Sequence, residues 1–200
     1  MADRVPLDFD PPVRQLRALL LGITDADLGA PTPCPDWTLG DLLDHIIGFT
    51  YAYTQAARKL PDLTGPPSPP SRGNLPVHWR SRLPVQLEEL AAAWRDPVAW
   101  TGTVSTRGVT MSATQTGMAA MRELIIHSWD LARATGQEFA ADPRTLEALI
   151  EMLSQSPATN EIDDEAVLLD QALELSGRDP RWRHRNRPAP PPADDITPAA

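Results

Sequence analysis

Apolar residues recur at helical spacing along almost the whole chain. Val13, Leu16, Leu20 and Ile23 form one stripe, Leu39, Leu42, Leu43, Ile46 and Ile47 a second, and Leu83, Leu87, Leu90 and Trp94 a third. Positions three and four apart share a helical face, so each stripe predicts an amphipathic helix with one buried side. A fourth helix is predicted from near Ser112 or Thr114 to Thr135, with Gly136 as its stop. A fifth starts at Asp142-Pro143 and turns Leu146, Leu149, Ile150 and Leu153 inward. A sixth, capped by the Asp163-Asp164 pair, runs through Leu169 and Leu173 and stops at Gly177.

The polar and proline positions punctuate this pattern. Asp10 before Pro11 predicts a helix start with a capping carboxylate. Thr38 with Asp41 three residues later forms a short capping box, opening a helix that should reach about Lys59. Pro31, Pro33 and Pro35 exclude regular helix from residues 25–37. Residues 61–76 are a proline-rich connection, read as a surface loop in preference to a lid. Between residues 98 and 112, Val98, Trp100, Val104, Val109 and Met111 flank Arg107-Gly108, a hairpin-like excursion. Connected amphipathic helices favour antiparallel neighbours, so the expected fold is all-α: an up-and-down four-helix bundle with extra short helices and a small hairpin. Residues 1–182 read as a single domain, and 183–200 as an Arg/Pro/Ala-rich tail too polar to pack. The arginines from Arg178 to Arg187 are counted with the solvated tail.

Composition narrows the partners. A net charge of −9 lacks the basic footprint that sequence-independent nucleic-acid binding needs. One cysteine, Cys34, excludes an internal disulfide framework and suits a reducing compartment. No apolar run approaches the roughly 20 residues that span a bilayer, and the first ten residues carry no apolar signal segment. A cytoplasmic protein acting on small molecules is expected. Dimerisation through a helix face is common in such bundles, but no residue identifies the surface.

The candidate chemistry lies in Glu123-Leu124-Ile125-Ile126-His127-Ser128-Trp129-Asp130. Glu123 and His127 sit at i and i+4, one above the other on a helix crowded with apolar side chains. A buried ionised Glu costs several kcal/mol, on the order of a lost ion pair, unless it is paired or binds a cation. His45, in Asp41-Leu42-Leu43-Asp44-His45, occupies a similar setting on the second helix. Two His and one carboxylate would leave coordination positions open, as catalytic metals require and closed structural zinc does not. The pattern is not the H-E-x-x-H of zincins, because here the upstream residue of the pair is itself the Glu. Asp130 reads either as an orienting partner of an imidazole or, preferred, as a structural partner of Arg133 or Arg14. Asp41, four residues before His45, reads as the same kind of orienting group or as an exposed helical Asp. Cys34, just before a helix start, is a minor candidate for a reactive thiol.

Thr32-Pro33-Cys34-Pro35-Asp36-Trp37-Thr38, followed by Asp41-Leu42-Leu43-Asp44-His45, resembles the opening motif of the mycothiol-dependent maleylpyruvate isomerase N-terminal domain family. The run from Glu123 through Asp130 to Gly136 resembles the second motif of that family, and Gly177-Arg178-Asp179-Pro180 the ending of a short single-domain subgroup. The resemblance implies a DinB-like four-helix bundle with a divalent metal, usually zinc, held by His45, Glu123 and His127. It also implies a low-molecular-weight thiol, mycothiol or bacillithiol, as co-substrate of a transferase or isomerase whose electrophilic substrate is unnamed. The isomerase itself has a further C-terminal domain for which this sequence leaves no room, so turnover of maleylpyruvate itself is not expected. A position often occupied by Gly in the opening motif holds Asp36 here. Two rival readings remain: a metal-binding bundle without catalysis, acting as a sensor or docking protein with Asp130 as a fourth ligand, and a metal-free bundle in which Glu123 and His127 merely pair.

Overall fold

The computed structural model describes residues 7–63, 65–66, 68–154 and 165–184. Its helices are α1 (Asp10–Leu21), α2 (Leu39–Ala57), α3 (Trp79–Trp94), α4 (Ala113–Thr135), α5 (Pro143–Ser154) and α6 (Glu165–Leu175), with strands β1 (Thr103–Thr106) and β2 (Val109–Ser112) between α3 and α4. The expected helical bundle with a small hairpin is what forms. Asp163-Asp164 and the tail beyond residue 184 lie outside the described residues.

Each of α1 and α2 packs on both α3 and α4, which places α1 diagonally from α2 across the bundle. Consecutive helices are therefore not all neighbours. The connections at residues 22–38 and 95–112 are long enough to cross the bundle end, which the expectation of antiparallel sequence neighbours did not anticipate. Leu16 of α1, Leu42, Leu43, Ile46 and Phe49 of α2, Leu83, Leu87 and Leu90 of α3, and Leu124 and Trp129 of α4 fill the centre, all fully buried. These are the predicted stripes, and their burial from water is the main force holding the helices together. The α5–α6 pair packs on itself and against α4.

Side-chain caps open α2 and α4 but not α1 or α3. Thr38 and Asp41 form the reciprocal capping box, Thr38 Oγ1 accepting from the Asp41 amide and the Asp41 carboxylate accepting from the Thr38 amide at 2.8 Å. Ser112 and Gln115 do the same for α4, and Gly136 closes that helix in the left-handed conformation at φ 64°. Asp10, expected as a capping carboxylate, instead lies within the first turn of α1; Phe9 is the capping position and makes no side-chain cap. The Asp10 carboxylate pairs with Arg95 at 2.7 Å, fastening α1 to the end of α3.

Two positions show why small or turn-tolerant residues stand where they do. A Cβ on Gly117 would lie 2.6 Å from the Trp100 ring and 2.8 Å from the Trp94 ring, so only glycine lets that aromatic pair seat on α4. Asp36 has φ 64°, the left-handed region that Gly adopts freely and Asp tolerates.

Candidate metal centre

The imidazoles of His45 and His127 reach the Glu123 carboxylate from different helices. His45 Nε2 lies 2.9 Å and His127 Nε2 3.1 Å from Glu123 Oε2. One donor atom from each residue falls within a single cluster 4.8 Å across. α4 supplies two of the three through its i, i+4 spacing, and the α2–α4 contact brings in His45 from 78 residues away. Arg122 donates to the other carboxylate oxygen, Oε1, at 2.7 Å, which leaves Oε2 turned toward the histidines.

Behind His127 stands a charged layer. Its Nδ1 donates to Asp130 Oδ2 at 2.9 Å. Arg178 grips the same carboxylate with two bonds, Nε to Oδ1 at 3.0 Å and Nη2 to Oδ2 at 2.9 Å. The Asp130 side chain is wholly shielded from water, so this pairing is what makes its charge tolerable. Cys34 joins the layer: its thiol faces Asp130 Oδ2 at 3.1 Å and accepts from Arg178 Nη2 at 3.0 Å, with His127 Nδ1 at 3.8 Å. Thr32 ties the loop down by accepting from the Cys34 amide and donating to the Trp37 carbonyl at 3.0 Å.

Two aromatic rings wall the cluster. Trp37 lies 5.0 Å from the His45 ring and 6.0 Å from that of His127, and Phe49 sits 5.6 and 6.2 Å from the same two. Burial works against charge in this setting, but the bonds to His127, His45 and Arg122 hold the Glu123 carboxyl far below the usual range. For His127, burial is outweighed by its contacts with Asp130, Cys34 and Glu123, and the imidazole is pushed well up. His45 goes the other way: burial, with the His127 and Arg107 charges, outweighs its bond to Glu123 and favours the neutral ring. Burial pushes the Cys34 thiol up despite the neighbouring cations. Tyr53, buried and near the Glu123 charge, is raised to about 12 and stays a phenol at neutral pH.

The donor set suits a divalent cation. With Nδ1 committed to Asp130, Nε2 is the nitrogen that faces Glu123, and displacement of its proton by a cation would leave the tautomer a metal ligand needs. Each histidine Nε2 lies 2.9 or 3.1 Å from Glu123 Oε2, near the ~3.3 Å edge of a tetrahedron built on metal–ligand bonds of about 2.0–2.1 Å.

Several expectations change at this point. Asp130 bonds to His127 and Arg178, not to Arg133 or Arg14, so the preferred structural pairing gives way to the orienting one. Its carboxylate meets His127 on the nitrogen that faces away from Glu123, which is no place for a fourth ligand. Asp41 belongs to the cap of α2 and accepts from the Arg72 amide; its recorded bonds do not reach His45. Arg178, assigned to a solvated tail, is drawn into the interior by Asp130. Its companion Cys34 had no cationic neighbour in sequence because His127 and Arg178 both come from more than 90 residues away.

Residues 9–132 match the family model described as the mycothiol maleylpyruvate isomerase N-terminal domain. The chain belongs to this family. Two uncharacterized proteins of Mycobacterium tuberculosis, one from each of two strains, are each 30% identical to it over 142 residues, covering 70% of this chain and 71% of theirs. A solved structure of a histidine-to-alanine variant of the mycothiol-dependent maleylpyruvate isomerase superposes with a TM-score of 0.55 at 21% identity, covering 75% of this chain and 70% of that one. At that identity the likeness speaks for the shared bundle. The family match spans α1 through nearly all of α4 and so includes His45, Glu123 and His127, whereas Arg178 lies beyond it. Among the described residues, no helix is long and apolar enough to cross a membrane.

Proposed function

We propose that this protein is a metal- and thiol-dependent transferase or isomerase of its family, with His45, Glu123 and His127 holding a divalent ion, zinc by donor type. The carrying observation is the convergence of two Nε2 atoms on one carboxylate oxygen in a partly buried, aromatic-walled site. Three protein ligands leave positions open for a small molecule. When bound, such a cation would lower the pKa of a coordinated low-molecular-weight thiol such as mycothiol and so supply a nucleophilic thiolate near neutral pH.

The chain's own residues prepare the place. Arg122 fixes which Glu123 oxygen faces inward, and Asp130, backed by Arg178, holds the His127 ring and its tautomer. Trp37 and Phe49 exclude water and keep the local dielectric low, which strengthens every charge interaction there. All three ligands come from one chain, so a dimer is not needed to complete the site. The reading places the protein in the cytoplasm with a small thiol and an electrophile as partners, and with no nucleic acid or membrane.

The first experiment is metal analysis by mass spectrometry on untagged, chelator-free protein beside a His45→Ala variant. About one zinc per chain, lost in the variant, supports the site. Mycothiol titrated into the loaded protein then separates an enzyme, which binds it, from a metal-stapled docking protein, which ignores it. Absence of metal with an equally well-folded variant would overturn the reading.

A further inference from the structure

α2 and α4 run antiparallel where they meet. Ala56, at the end of α2, packs through Val104 against Ala113 at the start of α4, while His45, near the start of α2, bonds Glu123 in the middle of α4. Helical side chains lean toward the N-terminus of their own helix. Residues late in α2 therefore lean toward His45, and Glu123 leans toward the end of α2. Tyr53 stands between them. It follows His45 and Phe49 on one stripe of α2, two helical turns or about 12 Å beyond His45. Its ring lies 6.3 Å from that of Phe49, which in turn packs on both histidine rings.

Packing explains the Tyr53 ring but not its hydroxyl. The residue keeps 7% of its surface accessible, and no hydrogen bond engages the hydroxyl among the described residues. A buried tyrosine normally finds a partner for its O–H. The charges that reach this phenol are those of Glu123, Arg107 and Arg122. Glu123 belongs to the ligand cluster, and Arg122 bonds its outer oxygen. Arg107, at the hairpin turn, lines a cleft of about 260 Å³ together with His45. Along α4, Asp130 closes one end of the cluster, and Tyr53 faces the other. Burial and the Glu123 carboxylate push the phenol up to about 12, so it keeps a proton to donate.

We infer that the Tyr53 hydroxyl donates a hydrogen bond to an anionic atom held on the open side of the His45–Glu123–His127 cluster, as a further residue of that site. The atom is a thiolate sulfur, or the oxygen of an electrophile under attack. In the second case a sulfur–carbon bond forms, the carbon–oxygen π bond opens and its electron pair moves onto oxygen. No proton changes hands, and the aimed O–H stabilises the charge where it develops. The inference rests on the metal-centre reading, because the cluster must hold the anion beside the phenol. A phenylalanine would fill the same space beside Phe49, so Tyr53→Phe removes the hydroxyl alone.

Cobalt(II), which reports its ligands through its visible spectrum, serves as the metal in the test, and azide as the anionic probe. Wild type, Tyr53→Phe and Tyr51→Phe are loaded with cobalt and titrated with azide at neutral pH. Cobalt content and melting temperature should be the same in all three. Azide should bind wild type and Tyr51→Phe alike, and Tyr53→Phe roughly tenfold more weakly, the scale of one hydrogen bond to a charged acceptor. Equal azide affinity in Tyr53→Phe, a matching loss in Tyr51→Phe, or a cobalt site that takes no azide would overturn the inference and leave the metal centre standing. A Tyr53→Phe protein that loses cobalt along with azide would do the same, since the residue would then act on the build of the site. Wild type that takes up no cobalt sinks the metal centre and the inference together.

Discussion

Asp130 and Arg178 show how much of a site can rest on groups outside the three proposed ligands. Asp130 is fully buried, and its two oxygens are divided among His127, Cys34 and both arms of Arg178. Partners that orient ligating histidines are typically worth about 10–100-fold in metal affinity. Asp130→Asn keeps the shape but weakens the acceptor for Nδ1. We expect zinc affinity, measured by competition with a chromophoric chelator, to fall at least tenfold with the fold retained. Arg178→Ala strips the counter-charge from a buried carboxylate and should cost about 3 kcal/mol in denaturant unfolding. A loss below about 1 kcal/mol would mean that His127 alone suffices to balance Asp130.

At the scale of elements, α2 carries the proposed ligand His45 less than two turns from its own start, so the cap that fixes its first turn also aims the imidazole. Partial burial works to raise the Asp41 carboxyl, but bonds to the Thr38 hydroxyl and amide and to the Arg72 amide hold it below its ordinary value. A depressed folded pKa contributes stability that is present above the unfolded carboxylate value, about 3.9, and is lost as pH falls through the lower folded one. Asp41→Asn should therefore cost on the order of 0.5–1 kcal/mol at neutral pH, and the difference from wild type should shrink toward zero in acid. Equal pH–stability curves for the two proteins would show that the cap's charge is irrelevant. The hairpin illustrates the same coupling: Val104 of β1 packs with Ala56 of α2 and Ala113 of α4, which fixes where the Arg107 turn can lie.

For the whole molecule, the proposed ligands bridge α2 and α4, two helices that also form one of the principal contacts of the bundle. An ion that binds only the folded chain adds RT ln(1 + [L]/Kd), about 2.7 kcal/mol at a hundredfold excess over Kd. In a chain of 200 residues each kcal/mol moves the melting temperature by about 2–4 °C, so stripping zinc with a chelator should lower it by about 5–10 °C. The same treatment should leave His45→Ala unchanged. A wild type that melts identically with and without chelator would count against a metal held between the two helices.

What could be read in the sequence was what neighbours along the chain decide. The helix stripes, the Thr38–Asp41 box, the Gly136 stop, the Arg107-Gly108 turn and the stacking of Glu123 under His127 all depend on interactions within about five residues, and each appears where the pattern put it. The Asp10 cap failed because Phe9 and its stacking on Trp94, at 5.7 Å, set the entry to α1. Tertiary structure alone decided the diagonal placement of α1 and α2, the meeting of His45 with Glu123, the clasp of Arg178 on Asp130 beside Cys34, and the approach of Arg107 to the cleft that His45 lines. For the meeting of His45 with Glu123 and the clasp of Arg178 on Asp130 the physical reason is the same. A buried charge takes whatever partner the packed helices bring within about 3 Å, and spacing along the chain carries no record of which one that will be.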